Sequence, residues 1–251
     1  MEYEEKYSRY QLHLLDEPPP FLSALPLDLN SRLVLDLGCG GGINSYYLKQ
    51  NFPRSSLVSL DLSPVRCQQC RQYIDTSVIQ ADSTLLPLKD NAFDMVICTM
   101  LIEHVSDDRK LVREIHRVLK PGGYVFISSV IKGKHAWYFR HNRSGETVLD
   151  STHLREYSSR EEFLSLFNRF EVLNVTLRNV SLSWARFIYR LLVRFRLIRT
   201  GDPLFFTRTS FLKNAAQWKL SIPNYKEIEL WGKKNKIILD KRNIACIIQL
   251  L

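Results

Sequence analysis

Short apolar runs alternate with helical segments between residues 33 and 130, and this rhythm constrains the fold more than any other feature of the sequence. The apolar runs predict five strands, and amphipathic stretches between them predict helices. Strands that alternate with helices form parallel sheets, because each connecting helix covers one face of the sheet. We therefore predict a doubly wound α/β fold, whose ligands bind at the carboxyl ends of the strands.

The sequence LDLGCGGG, residues 35–42, joins the first predicted strand to the first helix. Its glycines let the backbone bend sharply and let a ligand approach the amides without meeting a Cβ atom. A dinucleotide fingerprint would need a glycine where Ile43 stands. Asp36 would repel a pyrophosphate and attract an ammonium or sulfonium group, so the loop favours S-adenosylmethionine over NAD. The residues predicted to contact the cofactor here are Asp36, Gly38, Cys39 and Gly40.

Polar side chains also follow the next predicted strands. Asp61 ends the second strand and can accept both ribose hydroxyls, while Leu62 can lie against the adenine ring. Asp82 ends the third strand and can accept the adenine amine, and the backbone of Ser83 can reach a ring nitrogen. Each acid alone would more often be a solvated loop residue, but their shared position favours one nucleoside site. Thr99, in the predicted fourth strand AFDMVICTMLI, completes the predicted cofactor-binding set.

Four stretches of the chain resemble class I S-adenosylmethionine-dependent methyltransferases of the methyltransferase type 11 group, which includes ubiquinone and menaquinone biosynthesis enzymes. They are VLDLGCGGG, SLDLSP, ADSTLLPLKDNAFDMVICTMLIEHV and REIHRVLKPGGYVFIS. The resemblance covers about residues 33–130. It implies S-adenosylmethionine as the cofactor and a Rossmann-like sheet of seven strands, mostly parallel, with an antiparallel last strand. The final NIACIIQLL is predicted to be that strand.

The length of 251 residues predicts one domain over residues 1–251. Residues 1–30 are predicted to be an N-terminal helical extension, and residues 31–130 the cofactor-binding core. Residues 131–158 and 181–240 are predicted to be inserted lid segments that cover the acceptor. Ser106 is predicted to cap the helix DDRKLVREIHRVLK, and REEFLSLFNRF and FEVLNVTLRNV are predicted to be a further helix and strand.

The candidate catalytic residues are two histidines and a tyrosine. Methyl transfer is an in-line displacement that depends mainly on positioning, and a base is needed when the acceptor is a hydroxyl or a protonated amine. His153, in DSTHLREY, is the preferred base, with Tyr157 beside it. His104, in IEHV, is the other candidate base, although it would equally serve to fix its own loop.

No metal site is predicted. In ubiquinone O-methyltransferases the resemblance implies a metal near two glutamates and a histidine; here Glu103 and His104 remain, but Met100 occupies the first glutamate position. Two ligands hold a hard cation poorly. Cys67 and Cys70 form a CxxC without a second pair, so they are predicted to be ordinary helix residues. Five cysteines and no secretory leader favour a reducing, cytoplasmic location.

The net charge of +9 is concentrated in residues 182–242, which hold 14 basic and 4 acidic residues. Within this region, residues 182–199 predict a cationic amphipathic helix with Arg186, Arg190 and Arg194 at a spacing of four. Such a helix suits peripheral contact with an anionic membrane, or it covers the active site as a lid with solvated arginines. Nucleic-acid binding is less favoured because no RNA-binding module accompanies the basic residues, and no transmembrane segment is predicted.

Together these features predict a methyltransferase that acts on a small-molecule or lipid-like acceptor at oxygen, nitrogen or an activated carbon. Three alternatives stay open at this stage. The first is an RNA or protein methyltransferase. The others are an NAD-type oxidoreductase and a non-catalytic cofactor-binding protein, both on the same fold.

Overall fold

The computed structural model describes residues 19–25, 28–133, 140–142, 144–183 and 219–235. The strands are β1 (Leu33–Leu37), β2 (Ser56–Asp61), β3 (Ser77–Gln80), β4 (Phe93–Thr99), β5 (Leu119–Lys132), β6 (Arg140–His141), β7 (Thr147–Val148), β8 (Phe170–Ser183) and β9 (Lys219–Lys234). The α-helices are α1 (Ile43–Asn51), α2 (Pro64–Tyr73), α3 (Asp108–Val118) and α4 (Arg160–Leu164). Short 3-10 helices span Pro20–Ala24, Ile102–His104 and Ser165–Phe167.

Seven of these strands form one sheet in the order β3-β2-β1-β4-β5-β9-β8. Strands β1 to β5 pair in parallel, and β9 runs antiparallel between β5 and β8. The predicted fold class is confirmed: a doubly wound, Rossmann-like sheet of seven strands with its last strand antiparallel. Because β1 to β4 are parallel, the residues that follow them lie along one edge of the sheet.

Helices cover the sheet on both faces, as alternate side chains of β4 make clear. Val96 and Cys98 belong to an apolar cluster that includes the buried side of α3. Met95 and Ile97 point the other way, into a second cluster with Leu48 of α1. Side chains of a strand alternate between the two faces, so a strand apolar on both sides, such as VIC, is stable only where both faces are covered.

The last sheet strand differs from the prediction. It is β9, which lies within residues 181–240, so the prediction of a lid insertion over that whole range is wrong for residues 219–234. Trp231 of β9 packs with Phe126 of β5 at a ring separation of 4.8 Å, and Leu230 lies in the core. The segment NIACIIQLL lies outside the described residues, and the seven-stranded sheet is complete without it.

Two smaller predictions also change. The helix at α3 is capped by Asp107 instead of Ser106, because the Asp107 carboxylate accepts the backbone N–H of Lys110 at 2.8 Å. The helix predicted in REEFLSLFNRF is only α4 followed by one 3-10 turn. At α2 the N-cap is Ser63, whose side chain accepts the N–H of Arg66.

The two ends of the chain are described only in part. Within the predicted N-terminal helical extension of residues 1–30, residues 1–18, 26 and 27 lie outside the described residues. The described part contains the 3-10 helix Pro20–Ala24, whose Phe21 stacks on Phe126 at 5.1 Å. Among the residues that are described, no helix combines the length and the apolar character needed to cross a lipid bilayer.

Candidate active site

The loop between β1 and α1 depends on glycines in the left-handed region of backbone conformation. The φ angles of Gly38, Gly40 and Gly42 are 75°, 54° and 95°. A Cβ atom on Gly38 would lie 2.9 Å from the Leu101 side chain. L-amino acids with a side chain rarely adopt such φ values, and neighbouring side chains leave no space, so the sequence needs glycine here for two independent reasons.

Asp61 holds this loop in place from the end of β2. One carboxylate oxygen accepts the N–H of Gly40 and the other accepts the N–H of Ser63, each at 2.9 Å. The side chain is 9% exposed, while the next residue, Leu62, is 63% exposed. An acid beside an exposed leucine at the end of a strand matches the predicted contacts with ribose and adenine. Sequence reasoning missed that Asp61 also fixes the glycine loop.

Asp36 lies beneath the same loop. It is fully buried and accepts the hydroxyl of Ser45 at 2.6 Å, and Ser45 lies 2.7 Å from the Ser59 hydroxyl. Burial raises the pKa of Asp36 to about 6, against the opposing effect of the Ser45 hydrogen bond. Its Oδ1 atom has no hydrogen-bond partner within the described residues. A buried acid with an unused oxygen suits a site for a cationic ligand.

Asn44, which sequence reasoning missed, connects the start of α1 to the end of β4. Its side-chain amide donates to the hydroxyl of Thr99 at 2.7 Å, and Asn44 is 7% exposed. The only sequence signal was a pair of polar residues, Asn44 and Ser45, at positions where a helix beside a sheet normally buries apolar side chains. Thr99 therefore contacts the start of α1, and its predicted role in binding the cofactor stays a prediction.

The end of β3 carries the third predicted contact region. The Asp82 carboxylate accepts both the N–H and the hydroxyl of Thr84, at 2.7 and 2.9 Å. This arrangement makes a tight turn that leaves Asp82 exposed and Ser83 buried. The turn places both residues at the edge of the sheet that holds Asp61.

The side chain of Cys39, a predicted cofactor contact, is buried in the structure. Its side chain is 4% exposed and packs with Cys70 and Ile74 of the adjacent helical segment. A hydrogen bond with the Cys70 thiol, together with burial, raises the pKa of the Cys39 thiol far above its usual value. The N–H of Cys39 already donates to Leu60. The Cys39 side chain therefore packs beneath the loop, and the predicted cofactor contact of this residue stays a prediction.

Both candidate histidines lie in a second cluster, beyond the end of β4. Their rings are 4.9 Å apart and nearly perpendicular. The cluster forms because the carbonyl of Glu103 accepts the N–H groups of Leu154 and Arg155, at 2.9 and 3.3 Å, which ties residues 150–157 to the turn at 102–104. His153 is 4% exposed, whereas His104 is only partly buried.

Two glutamates flank these histidines, Glu103 and Glu156, and the sequence analysis considered only Glu103 as a candidate ligand. Glu103 is fully buried and accepts the Ser129 hydroxyl at 2.9 Å. Burial raises the pKa of Glu103 to about 7, although the charge of His153 opposes this effect. Glu156 accepts a hydrogen bond from His153 Nδ1 at 2.6 Å. The spacing His-x-x-Glu was a signal that sequence reasoning did not use.

The cluster changes the basis of the metal prediction. Potential ligand atoms of Glu103, His104 and His153 lie within 4.8 Å of one another, so His153 adds a third possible donor to the two counted in the sequence. These residues have the donor types that bind zinc and similar ions. The absence of a metal requirement stays a prediction, which the chelator experiment below tests.

Met100, which occupies the place of the first glutamate, has a strained backbone. Its φ angle is 50°, its N–H donates to the carbonyl of Ser128 at 3.1 Å, and its side chain is 38% exposed. Left-handed conformations outside glycine concentrate at functional sites. The strain at Met100 turns the chain sharply at the end of β4, so that Leu101 packs over Gly38.

Tyr157 is part of the core, in contrast to the predicted catalytic role. It is 3% exposed, its ring packs edge to face on Phe163 at 5.1 Å, and its hydroxyl donates to Asp108 at 3.1 Å. Burial, followed by the negative charge of Asp108, raises the pKa of Tyr157 well above its usual range. A buried phenol whose pKa is raised in this way does not readily give up its proton.

A cleft of about 450 Å³ adjoins Glu156. It lies beyond the end of β5, next to the hairpin formed by β6 and β7. Its lining residues are Lys132, Gly145, Glu146, Val148 and Glu156. The cleft is on the edge of the sheet where ligands of doubly wound folds bind.

Known proteins share this architecture. Residues 35–127 match the methyltransferase domain family. Ubiquinone biosynthesis O-methyltransferase of Pseudomonas paraeruginosa is 32% identical over 117 residues, which are 44% of this chain and 50% of that protein. Malonyl-[acyl-carrier protein] O-methyltransferase of Marinomonas sp. is 28% identical over 189 residues, 71% of this chain and 66% of that protein. The chain thus spans about half the length of the ubiquinone-biosynthesis relative.

A solved structure gives the same result for the fold. Phosphoethanolamine N-methyltransferase 2 of Haemonchus contortus, in complex with S-adenosyl-L-methionine, superposes with a TM-score of 0.58 at 20% identity. The match covers 86% of this chain and 51% of that one. At this identity the likeness shows the fold alone.

The sheet, the glycine loop and the acids at the strand ends define an α/β domain that binds a nucleoside cofactor. Residues 35–127 of the chain are a methyltransferase domain. The resemblance found in the sequence is therefore confirmed for this segment, and so is S-adenosylmethionine as the cofactor of its class.

Proposed function

We propose that this protein transfers a methyl group from S-adenosylmethionine to an oxygen atom of a small-molecule or lipid-like acceptor. The observation that carries the proposal is the convergence of the glycine loop, Asp61, Leu62 and Asp82 at the carboxyl ends of three adjacent parallel strands. The methyltransferase match of residues 35–127 supports it. Oxygen is favoured over nitrogen or carbon because the two relatives described above are both named O-methyltransferases.

Each part of the site has a separate task in this proposal. When bound, S-adenosylmethionine supplies an electrophilic methyl group on a sulfonium sulfur. The backbone of the glycine loop would hold the amino acid end of the cofactor, and Asp61 the ribose hydroxyls. Leu62 would cover the adenine ring, with Asp82 and Ser83 at its edge. Asp36 provides negative potential beneath the loop, which favours a cationic ligand.

The acceptor would enter through the cleft beside Glu156. A hydroxyl must lose its proton as it is methylated, and we assign His153 as the residue that takes it. Because His153 is almost fully buried, water has little access to compete for that proton. His104 packs against His153 and would line the same pocket.

Calorimetry with the cofactor product tests the proposal directly. We expect S-adenosylhomocysteine to bind at least about 100-fold more tightly than NADH, since the chain has Ile43 in place of the third glycine of a dinucleotide loop. Binding of NADH without binding of S-adenosylhomocysteine would replace the proposal with the oxidoreductase alternative. A screen of phenols, amines and carboxylic acids, with S-adenosylhomocysteine release as the signal, would then separate an enzyme from a non-catalytic binding protein.

The same titrations should detect proton release. Burial raises the pKa of Asp36 to about 6, so near pH 6 about half of the molecules carry a proton on this group. A cationic ligand stabilises the ionised carboxylate and lowers its pKa, so binding releases protons near pH 6 and affinity falls as the pH drops further. Titrations in buffers of different ionisation enthalpy measure the number released. No release near pH 6 would mean that Asp36 does not sense the cofactor.

Chelation tests the metal prediction. We expect EDTA to leave turnover unchanged, and Mg²⁺ or Zn²⁺ to leave Tm unchanged, because Met100 stands in place of the first glutamate and leaves one carboxylate for a hard cation. Loss of turnover that Mg²⁺ restores, or a rise in Tm with either ion, would assign the cluster of Glu103, His104 and His153 to a cation. The Tm measurement does not require a known acceptor.

The proposed membrane contact concerns residues 182–199. The described part of β8 ends at Ser183, so residues 184–199 lie outside the described residues. The amphipathic pattern of their sequence supports contact with an anionic surface. Contact of these residues with a membrane, and their alternative role as a lid over the acceptor, both stay predictions from the sequence.

A further inference from the structure

The contact between His153 and Glu156 is the shortest hydrogen bond in the second cluster. His153 Nδ1 lies 2.6 Å from Glu156 Oε1, and only 4% and 2% of the two side chains are exposed. The same glutamate oxygen accepts the backbone N–H of Leu149 at 2.7 Å. An ionised carboxylate can only accept, so with Glu156 ionised its Oε1 accepts from both groups and His153 Nδ1 carries the proton.

The tautomer of His153 follows from this contact. With Nδ1 protonated, the neutral ring has its lone pair on Nε2. His104 is oriented in the same sense, because its Nδ1 faces the carbonyl of Thr152 at 3.2 Å, and a carbonyl can only accept. A carboxylate that fixes the tautomer of an imidazole also stabilises the imidazolium that forms when the ring takes a proton.

The pair is also held rigidly. The N–H of His153 donates to the carbonyl of Asp150, and the Asp150 carboxylate accepts from Thr152, which closes a tight turn around the histidine. Glu156 Oε2 is buried and makes no hydrogen bond within the described residues. Burying a carboxylate with an unsatisfied oxygen lowers the stability of the fold. Because Glu156 lies beside the cleft, a role in function explains why the fold keeps this carboxylate.

From this geometry we infer that Glu156 is a positioning residue, which holds His153 with Nε2 ready to take the proton of an acceptor hydroxyl. The inference rests on the proposed function. It also narrows the acceptor class: a base is useful only to an acceptor that brings a proton, so a neutral hydroxyl is expected and a carboxylate, which is already ionised at neutral pH, is not.

The tautomer is testable without an acceptor. An ordinary histidine is neutral at about pH 8. At this pH, side-chain ¹⁵N NMR of the full chain should show His153 protonated at Nδ1. In Glu156→Ala the signal should shift towards a mixture of tautomers, while Glu162→Gln, a change at an exposed carboxylate that accepts from Ser158, should leave it unchanged. A wild-type His153 protonated at Nε2 would overturn the inference.

Kinetics with the hydroxyl acceptor that turns over fastest in the screen provide the second test. We expect kcat to fall about 100-fold in Glu156→Ala and about 10-fold in Glu156→Gln, whose amide oxygen still accepts from Nδ1 but carries no charge. Glu156→Asp should recover part of the loss, and KM should change less than about threefold, since Glu156 acts on proton transfer and not on binding. Glu162→Gln should keep the wild-type kcat.

Measuring the binding of S-adenosylhomocysteine distinguishes failure of the proposed function from failure of the inference about Glu156. If the wild type does not bind it, the proposed function is wrong, and the NMR tautomer alone decides the role of Glu156. If the wild type binds it and methylates a hydroxyl, but Glu156→Gln has the wild-type kcat, only the inference is overturned. A preference for carboxylic acids over phenols would overturn the acceptor class.

Discussion

Replacing Asp61 with alanine is expected to weaken binding of S-adenosylhomocysteine by at least about 100-fold. The change removes the carboxylate assigned to the ribose and leaves the N–H groups of Gly40 and Ser63 without their acceptor. Charge-assisted hydrogen bonds and buried unsatisfied donors each contribute on the order of 1–3 kcal/mol, so a loss of this size is reached without any other change. Isothermal titration calorimetry measures it.

Two further variants show which part of the effect comes from the ribose contact. Asp61→Asn keeps one acceptor oxygen for the loop and should bind more tightly than Asp61→Ala. Asp75→Ala removes the same charge from an exposed residue just beyond α2 and should bind like the wild type. If Asp61→Ala folds normally and binds within about threefold of the wild type, the assigned cofactor site is wrong.

The second large effect is expected at Gly42. A Cβ atom there would lie 2.4 Å from Ile74 Cδ1 and 2.8 Å from Cys70 Sγ, and the φ angle of 95° is strained for any residue with a side chain. We expect Gly42→Ala to lower the free energy of unfolding by about 3 kcal/mol, from overpacking and backbone strain together. For a chain of this size that is a fall in Tm of roughly 6–12 °C.

Gly145 provides the control for backbone strain alone. Its φ angle is 82°, but a Cβ atom added there has no neighbour within 4 Å. Gly145→Ala should therefore cost only about 1–2 kcal/mol. Equal losses for the two variants would show that the packing of Cys70 and Ile74 against the loop contributes nothing to stability.

The parallel half of the sheet was predictable because its signals are local. The strands β1, β2 and β4 are mostly apolar runs, and Ser63 and Pro64 mark the start of α2. The observed N-cap of α3, Asp107, lies one residue after the predicted cap, Ser106. Sequence alone did not distinguish them, since the two residues are adjacent and both residue types accept N–H groups well.

The strand β9 was missed because its sequence, KLSIPNYKEIELWGKK, contains a proline and several charges. Proline is normally excluded from a central strand. Here Pro223 falls between the pairs Asn179↔Lys226 and Ser181↔Ser221, where the register with β8 shifts, so no regular ladder hydrogen bond is lost. The apolar residues that matter, Ile228 and Leu230, were visible only as a short alternation.

Some features of the candidate site could also be predicted from the sequence, and others could not. Contacts that follow from strand ends, such as Asp61 and Leu62, could be predicted from position alone. The environment of Glu103 could not, because its burial results from residues 150–157 folding back over the turn at 102–104. The sequence likewise did not indicate that the Tyr157 hydroxyl would donate a hydrogen bond to Asp108, 49 positions away.

The pairing of β8 with β9 sets where the chain is free to vary. Ser183 and Lys219 are register partners, so both ends of the intervening 184–218 meet at one point of the sheet. A stretch whose ends are already joined by a ladder can change in length at small entropic cost. This stretch can therefore change in length without disturbing the strands whose ends carry the candidate cofactor site.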